Sequence, residues 1–404
     1  MSGFVKLGIQ LDPSQIGPWI PQKKRYEHLF CIGGTGSGKT TYFANLIKND
    51  LDAGIIVLDP GGALADIVCA IVPKDRLIKV DKHNPISLNP LSRTHLNNSK
   101  NANELVDVVN SAVQALTDQV AITVKMQRIV RQAINVMSGG KLSIEKLSEF
   151  LDSKRARDEF FIIHSKPVYW QEFESKGYKY EQLRMSAERV TDRFSLLFED
   201  EDLTPFVSGA NQLDIPKIAL EKKIVVFDLH GFDDDETALI GNLVTHQIKS
   251  YYLHQAKQDS PPLYFYCDEQ HLFINRLFNR FLTESRKYNI SVNLSGHNLE
   301  QVDRKLLSSL LSCYVLVILS ANSDDAQALS RELNIKPRDI LELGSHEAYL
   351  GIGKKPVRVM TYPPPKIPKT AEPPEAPKAP EVKIEEPIAP PLYFLADDPW
   401  IMVN

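Results

Sequence analysis

His28-Leu-Phe-Cys-Ile-Gly-Gly-Thr-Gly-Ser-Gly-Lys-Thr-Thr41 decides how this chain is read, because an apolar run turns within one residue into a bend rich in glycine and serine. Gly33, Gly34, Thr35, Gly36, Ser37, Gly38, Lys39 and Thr40 fit the pattern GxxxxGK[ST] without a mismatch. Glycines let a backbone turn its N–H groups inward around a phosphate. The lysine brings a mobile positive charge to the β- and γ-phosphates, and the hydroxyl of Thr40 suits a Mg²⁺ ion. The flanks agree: the run His28–Ile32 predicts a strand entering the bend, and Thr40–Asn49 predicts a helix leaving it. We therefore expect a nucleotide, ATP with Mg²⁺, at Gly33–Thr41.

Outward from this bend the same rhythm recurs. The runs Gly54–Leu58, Leu77–Val80, Ile224–Phe227, Leu263–Cys267, Ile290–Leu294 and Tyr314–Leu319 are short, rich in Val, Ile, Leu and aromatics, and do not alternate with polar residues. Such runs read as strands buried on both faces of a parallel sheet, and helical spacing between them gives an α/β fold. Nearer the N-terminus, Val5–Leu11 reads as a short β stretch. The rhythm breaks between Leu91 and Lys222. There Leu105, Val108, Val109, Ala112, Leu116 and Val120, then Ile129, Val130, Ala133 and Val136, repeat at helical spacing, and Gly139-Gly140 ends the stretch. The expectation is an ATPase core in two parts, residues 1–91 and 222–362, with an all-helical insertion over 92–221. Residues 363–404 are a Pro-rich tail, expected to be disordered because it cannot bury enough apolar surface to fold; it ends in an apolar-acidic tip, LYFLADDPWIMVN. A docking tag for a protein partner and a frayed terminus are equally good readings of that tip.

A phosphate-binding loop needs an acid for its metal. Three runs end in Asp, at Asp59, Asp228 and Asp268, but only Asp268 is followed by a second acid, Glu269. Hydrolysis calls for one carboxylate on Mg²⁺ and another to activate water, which assigns the metal to Asp268 and the water to Glu269. Asp59 and Asp228 read as turn or cap residues. Because all these groups follow strands directly, they should share the carboxyl rim of the sheet, where open α/β folds bind ligands. Asp268-Glu269 should also start a helix over His271–Tyr288. Arg286, near that helix's end and before Asn289, is a candidate arginine finger for a neighbouring subunit, or else a surface arginine balancing Glu284. His297, just past the strand Ile290–Leu294, is a candidate sensor of γ-phosphate or water.

Composition narrows the partners. With 404 residues, 47 Lys+Arg against 51 Asp+Glu and a formal net charge of −4, the chain has no wholesale basic surface, so any DNA contact must be local. Lys354-Lys355 and the insertion's Lys125, Arg128 and Arg131 are candidates, each read more simply as an ordinary solvated side chain. Four scattered cysteines without CxxC spacing predict buried thiols, and the ten histidines form no zinc pattern. No apolar run reaches the length of a membrane span. A cytoplasmic location, at most peripheral to a membrane complex, is expected.

Taken in order, HLFCIGGTGSGKTT (28–41), GIIVLDPGG (54–62), ISLNPL (86–91), YFYCDE (264–269), ESRKYNISVNLSGHN (284–298) and HEAYLGIGKKPVRV (346–359) resemble the FtsK–HerA superfamily of ring-forming motor ATPases, and within it the conjugative DNA-transfer ATPases of the type IV secretion coupling kind. The resemblance implies a RecA-like P-loop core, a homo-oligomer, normally a hexamer, with ATP sites between subunits, and DNA gripped through its phosphates. It places a trans-acting arginine at Arg286. It also marks position 297, where the family carries a glutamine that couples nucleotide state to movement; His297 departs from that pattern, as does Gly61-Gly62-Ala63 after Asp59-Pro60. DNA translocation, in conjugation or genome packaging, leads. A secretion or assembly ATPase acting on protein or membrane complexes without DNA is the alternative. A small-molecule kinase is disfavoured by the paired acids, and a GTPase by the lack of an NKxD motif.

Overall fold

The computed structural model describes residues 3–12, 17–89, 91, 123–137, 143–273, 278–302 and 304–367. The periodic residues from Leu105 to Val120, Gly139-Gly140 and the tail beyond Ile367 lie outside the described residues.

Ten strands form the main sheet in the order β2-β12-β11-β10-β4-β9-β8-β5-β7-β6. Seven of them are parallel neighbours: β10 (Val315–Ile318), β4 (Leu29–Ile32), β9 (Ile290–Gly296), β8 (Leu263–Cys267), β5 (Gly54–Asp59), β7 (Ile224–Asp228) and β6 (Leu77–Val80). These are the seven runs read from the sequence, with ends moved by one or two residues. Every residue of β5 and β8 is buried, because helices cover both faces. Alternation persists inside the core: Ile55 and Val57 join the cluster under helix α1 (Lys39–Asn49) and helix α2 (Ala63–Ile71), while Ile56 and Leu58 join the one on the opposite face.

Three elements differ from the sequence reading. Antiparallel β11 (Glu347–Ile352) and β12 (Lys355–Met360) extend the sheet beyond β10 as a hairpin. The stretch Val5–Leu11 splits into β1 (Phe4–Lys6) and β2 (Ile9–Gln10), because a Cβ at Gly8 would lie 2.9 Å from Val359 Cγ2, so the chain presses close to β12 there. β1 then pairs with β3 (Trp19–Pro21) in a separate ribbon. The helix expected over His271–Tyr288 is instead a 3₁₀ turn, Gln270–Leu272, and, after residues outside the description, a six-residue helix Asn279–Glu284 with a 3₁₀ turn Ser285–Tyr288. Asn289 stops it at φ 57°, the left-handed end anticipated from its position.

Between Val124 and Glu221 the described elements are all helical. Ser143 and Ser153 cap successive helices with their hydroxyls, accepting from the amides of Lys146 and Ala156. Fully buried Trp170 packs edge-on against Phe150 at 4.8 Å between ring centres and lies 5.1 Å from Phe173. This helical region shares one continuous apolar cluster with the sheet face that includes Phe30 and Phe265.

Behind the sheet's amino edge, His28 is buried with φ 70°, its ring between the hydroxyl of Ser285 (3.2 Å) and the amide of Val292 (3.2 Å). Burial lowers its pKa to about 4, and nearby Arg286 pushes the same way. A histidine that charges more readily unfolded than folded costs stability as pH falls from about 6.5 towards 4, in total up to roughly 3 kcal/mol. Unfolding midpoints measured across that range should decline towards acid, and His28→Asn should flatten the slope. An unchanged slope in the variant would assign the acid sensitivity elsewhere.

Candidate active site

Strand order sets the site's dimensions. β4 delivers the phosphate-loop sequence, β8 delivers Asp268-Glu269, and β9 alone lies between them. Strands are about 4.8 Å apart, so the loop and the acids face each other across roughly 10 Å. In register, Ile32 lies opposite Gly296 and Cys267 opposite Leu294. The last residues of β9 and the one that follows, Ser295, Gly296 and His297, therefore fall in the gap. Each makes a contact there. The Ser295 hydroxyl donates to Asp268 Oδ1, Gly296 accepts from the Gly33 amide at 3.1 Å, and His297 touches both sides.

Gly36 and Gly38 hold φ of 76° and 100°, which glycine adopts at no steric cost, and a Cβ on either would meet nothing within 4 Å. That side of the bend is open space. Among the described residues the amides of Gly36, Gly38, Lys39 and Thr40 donate to no backbone carbonyl, as expected where a helix starts without a cap. The buried hydroxyl of Ser37 has no hydrogen-bond partner among the described residues. The Gly34 amide is tied to Ser320 at 2.9 Å, which fastens the bend to the end of β10. Thr35, Thr40 and Thr41 lie along the same bend and the first turn of α1.

The Lys39 side chain, 7% exposed, crosses this bend. Its three ammonium protons reach Gly33 O at 2.7 Å, Gly34 O at 3.2 Å and His297 Nδ1 at 3.0 Å. From the other ring nitrogen, His297 Nε2 meets Glu269 Oε1 at 3.0 Å. Glu269 itself sits in left-handed backbone, φ 49°, with its amide bonded to Asp268 Oδ1 at 3.1 Å. A non-glycine residue there is a local strain of the kind concentrated at functional sites. Asp59 lies beside this group. Its carboxylate accepts from Ala65 N at 2.7 Å and Gly61 N at 3.1 Å, the turn role expected of it. Burial, with a contribution from the charge of Asp268, raises its pKa to about 6. Asp228 likewise serves its own loop, accepting from the His230 amide at 3.3 Å, and it pairs with Lys79 of β6 at 2.9 Å.

The structure thus brings Gly33–Thr41, Lys39, Asp268, Glu269 and His297 into one place. It does not bring Arg286 there. That residue is exposed at the amino end of β9, a seven-residue strand away, or about 20 Å. Among the basic candidates, Lys354 is paired with Glu332 at 2.7 Å, Arg128 lies over the Tyr169 ring at 5.6 Å, Arg131 is half-buried, and Lys125 and Lys355 are exposed. Two site partners escaped the sequence reading: Ser320, and Ser295 as the group holding Asp268. The one available signal was a serine at the carboxyl end of a predicted strand.

The same architecture occurs in known proteins. Plasmid coupling protein TrwB, in complex with the non-hydrolysable ATP analogue ADPNP, superposes with a TM-score of 0.64 at 14% identity, covering 90% of this chain and 95% of that one. VirB4 of Thermoanaerobacter pseudethanolicus gives 0.63 at 14%, covering 90% and 98%. TrwB in complex with ADP and Mg²⁺ gives 0.62 at 15%, covering 88% and 89%. No curated protein matches the sequence. A family profile described as "Helicase HerA, central domain" matches residues 24–248, more than half of the chain, from just before β4 through the helical region and β7 into the helix Asp234–His254. The chain belongs to the helicase HerA central-domain family, within the FtsK–HerA group of P-loop ATPases.

Proposed function

We propose that this protein is an ATP-hydrolysing ring motor that translocates DNA. The observation that carries the reading is the pairing of an open, amide-lined bend with tandem carboxylates one strand away, on the rim where such sheets bind ligands. The amides and the Ser37 hydroxyl, without acceptors or partners among the described residues, suit a triphosphate together with Lys39. Complexes of TrwB with an ATP analogue and with ADP and Mg²⁺ support ATP and Mg²⁺ as the ligands. Thr40 and Asp268 would hold Mg²⁺, which when bound neutralises charge on the phosphates. Asp268 is buried and oriented by Ser295, as a metal-holding carboxylate needs to be. Glu269, about one-third exposed, is the base placed to take a proton from water. His297 senses whether the phosphate site is filled.

Arg286 serves a neighbouring subunit. It lies too far from the site of its own chain, and an exposed guanidinium on the amino rim suits a head-to-tail partner. The rims differ in charge: Asp59, Asp228, Asp233, Asp234, Asp268 and Glu269 stand among few bases after the strands, whereas Lys23, Lys222, Lys223, Arg286 and Lys287 precede strands beside acids such as Glu27, Asp75, Glu221 and Asp259. Head-to-tail contacts of this kind form a ring where their rotation closes, and a hexamer is our reading. We divide the chain as the sequence suggests, into core parts 1–91 and 222–362, a helical insertion 92–221 and a tail 363–404 that recruits a protein partner. No helix among the described residues is long and apolar enough to cross a membrane. Lys125 and Lys355, both exposed, are the DNA contacts we favour.

ATPase rates with and without double-stranded DNA test the polymer. Stimulation that fades steeply between 50 and 200 mM salt, by about 10³-fold or more in affinity for six or more phosphate contacts, is the expected result. Turnover indifferent to DNA would move the assignment to a secretion or assembly ATPase.

A further inference from the structure

The hydrogen-bond chain across the bend fixes where its protons are. Lys39 donates to His297 Nδ1, so that nitrogen is bare, and the neutral ring must carry its proton on Nε2 and donate it to Glu269. Lys39 has three protons, and three acceptors within the protein take them all. Reaching a phosphate therefore costs it at least one of these bonds. The two carbonyls belong to the bend that wraps the phosphate, while Nδ1 lies just past β9, on the far side.

We infer that His297 is a latch: without nucleotide it holds Lys39 and Glu269 to each other, and phosphate binding opens it by drawing Lys39 away. Glu269 is then released from a ring whose other nitrogen has lost its donor. The inference rests on the nucleotide-site reading above and adds a regulation to it. His297 is here a positioning residue that acts through Lys39 and Glu269, and it does so before any γ-phosphate is present. A glutamine has the same two functions, an oxygen to accept from Lys39 and an N–H to donate to Glu269. Leucine has neither.

The test is binding, not turnover. Affinities for ADP and for a non-hydrolysable ATP analogue, both with Mg²⁺, are measured for the full chain and its His297→Leu and His297→Gln variants. A competing bond to a charged group is removed in the leucine variant, so both nucleotides should bind about three- to tenfold more tightly, and the glutamine variant should stay within about twofold of the wild type. A merely structural loss would weaken binding or leave it unchanged. If leucine weakens the triphosphate analogue alone, His297 is a γ-phosphate contact and the latch is wrong. Equal affinities in all three proteins also overturn it. Wild-type protein that binds neither nucleotide would instead remove the site reading on which the latch depends.

Discussion

Lys39→Ala is expected to abolish ATP hydrolysis and to weaken nucleotide binding by about a hundredfold, with the fold intact. The magnitude follows from losing a charge-assisted contact to phosphate, where bonds to ionised groups are roughly twice as strong as neutral ones. The fold should survive because nothing in the core depends on the ammonium. Its partners are the carbonyls of Gly33 and Gly34 and one ring nitrogen, all at the rim, while the packing of α1 comes from Tyr42, Phe43, Leu46 and Ile47, one or more turns further along the helix and away from the rim. Circular dichroism and a thermal melt beside the ATPase assay separate the two effects. Retained turnover would mean that the bend is not the phosphate site.

The second large effect concerns Arg286. Alanine there should leave nucleotide binding near normal and reduce turnover by about 10³-fold or more, the range in which a trans arginine stabilises charge on a transferring phosphoryl group. Subunits carrying Glu269→Gln should be equally inactive for a different reason: they lack the base but retain the arginine. Mixing the two inactive proteins should restore part of the activity, because some interfaces then pair an intact Glu269 with an intact Arg286. The geometry is the reason for expecting this. A residue at the amino end of β9 has no route to the carboxyl rim of its own sheet, so any catalytic part it plays must be played in a neighbour. Failure of every mixing ratio would leave Arg286 as a surface arginine beside Lys24 and Glu284.

Much of this was legible in the residues because a few side chains admit few explanations. A GxxxxGK[ST] bend between a strand and a helix, and a buried run closing on two acids, each tie backbone geometry to one kind of chemistry. The strands showed for the same reason: a segment buried on both faces, such as Ile55–Leu58 or Leu263–Cys267, must be apolar throughout. The hairpin of β11 and β12 was harder to see. Its strand β12 leaves Lys355 and Arg358 partly in solvent and carries no apolar run, and the short run Ala348–Ile352 of β11 holds a glycine and follows a polar Glu347. The helix expected after Glu269 starts only as a 3₁₀ turn, Gln270–Leu272, that stops at Phe273, and a local propensity does not register that stop. Least visible was adjacency. The chain order places β9 after β8, but only the sheet order inserts it between the loop and the acids, which turns His297 from a lone histidine into a bridge. The buried ion pair of Arg25 with Asp50 at 2.7 Å, joined by the hydroxyl of Tyr266, was hidden for the same reason. It ties the segment before β4, the end of α1 and β8 together from residues far apart in sequence.

Amide hydrogen exchange over residues 33–41, with and without a Mg²⁺-bound ATP analogue, tests the central claim most directly. Amides at Gly36, Gly38, Lys39 and Thr40, which donate to no backbone carbonyl among the described residues, should become strongly protected when the nucleotide binds, together with smaller changes around Glu269 and His297. A nucleotide that binds tightly while those amides keep exchanging as before would contradict the account.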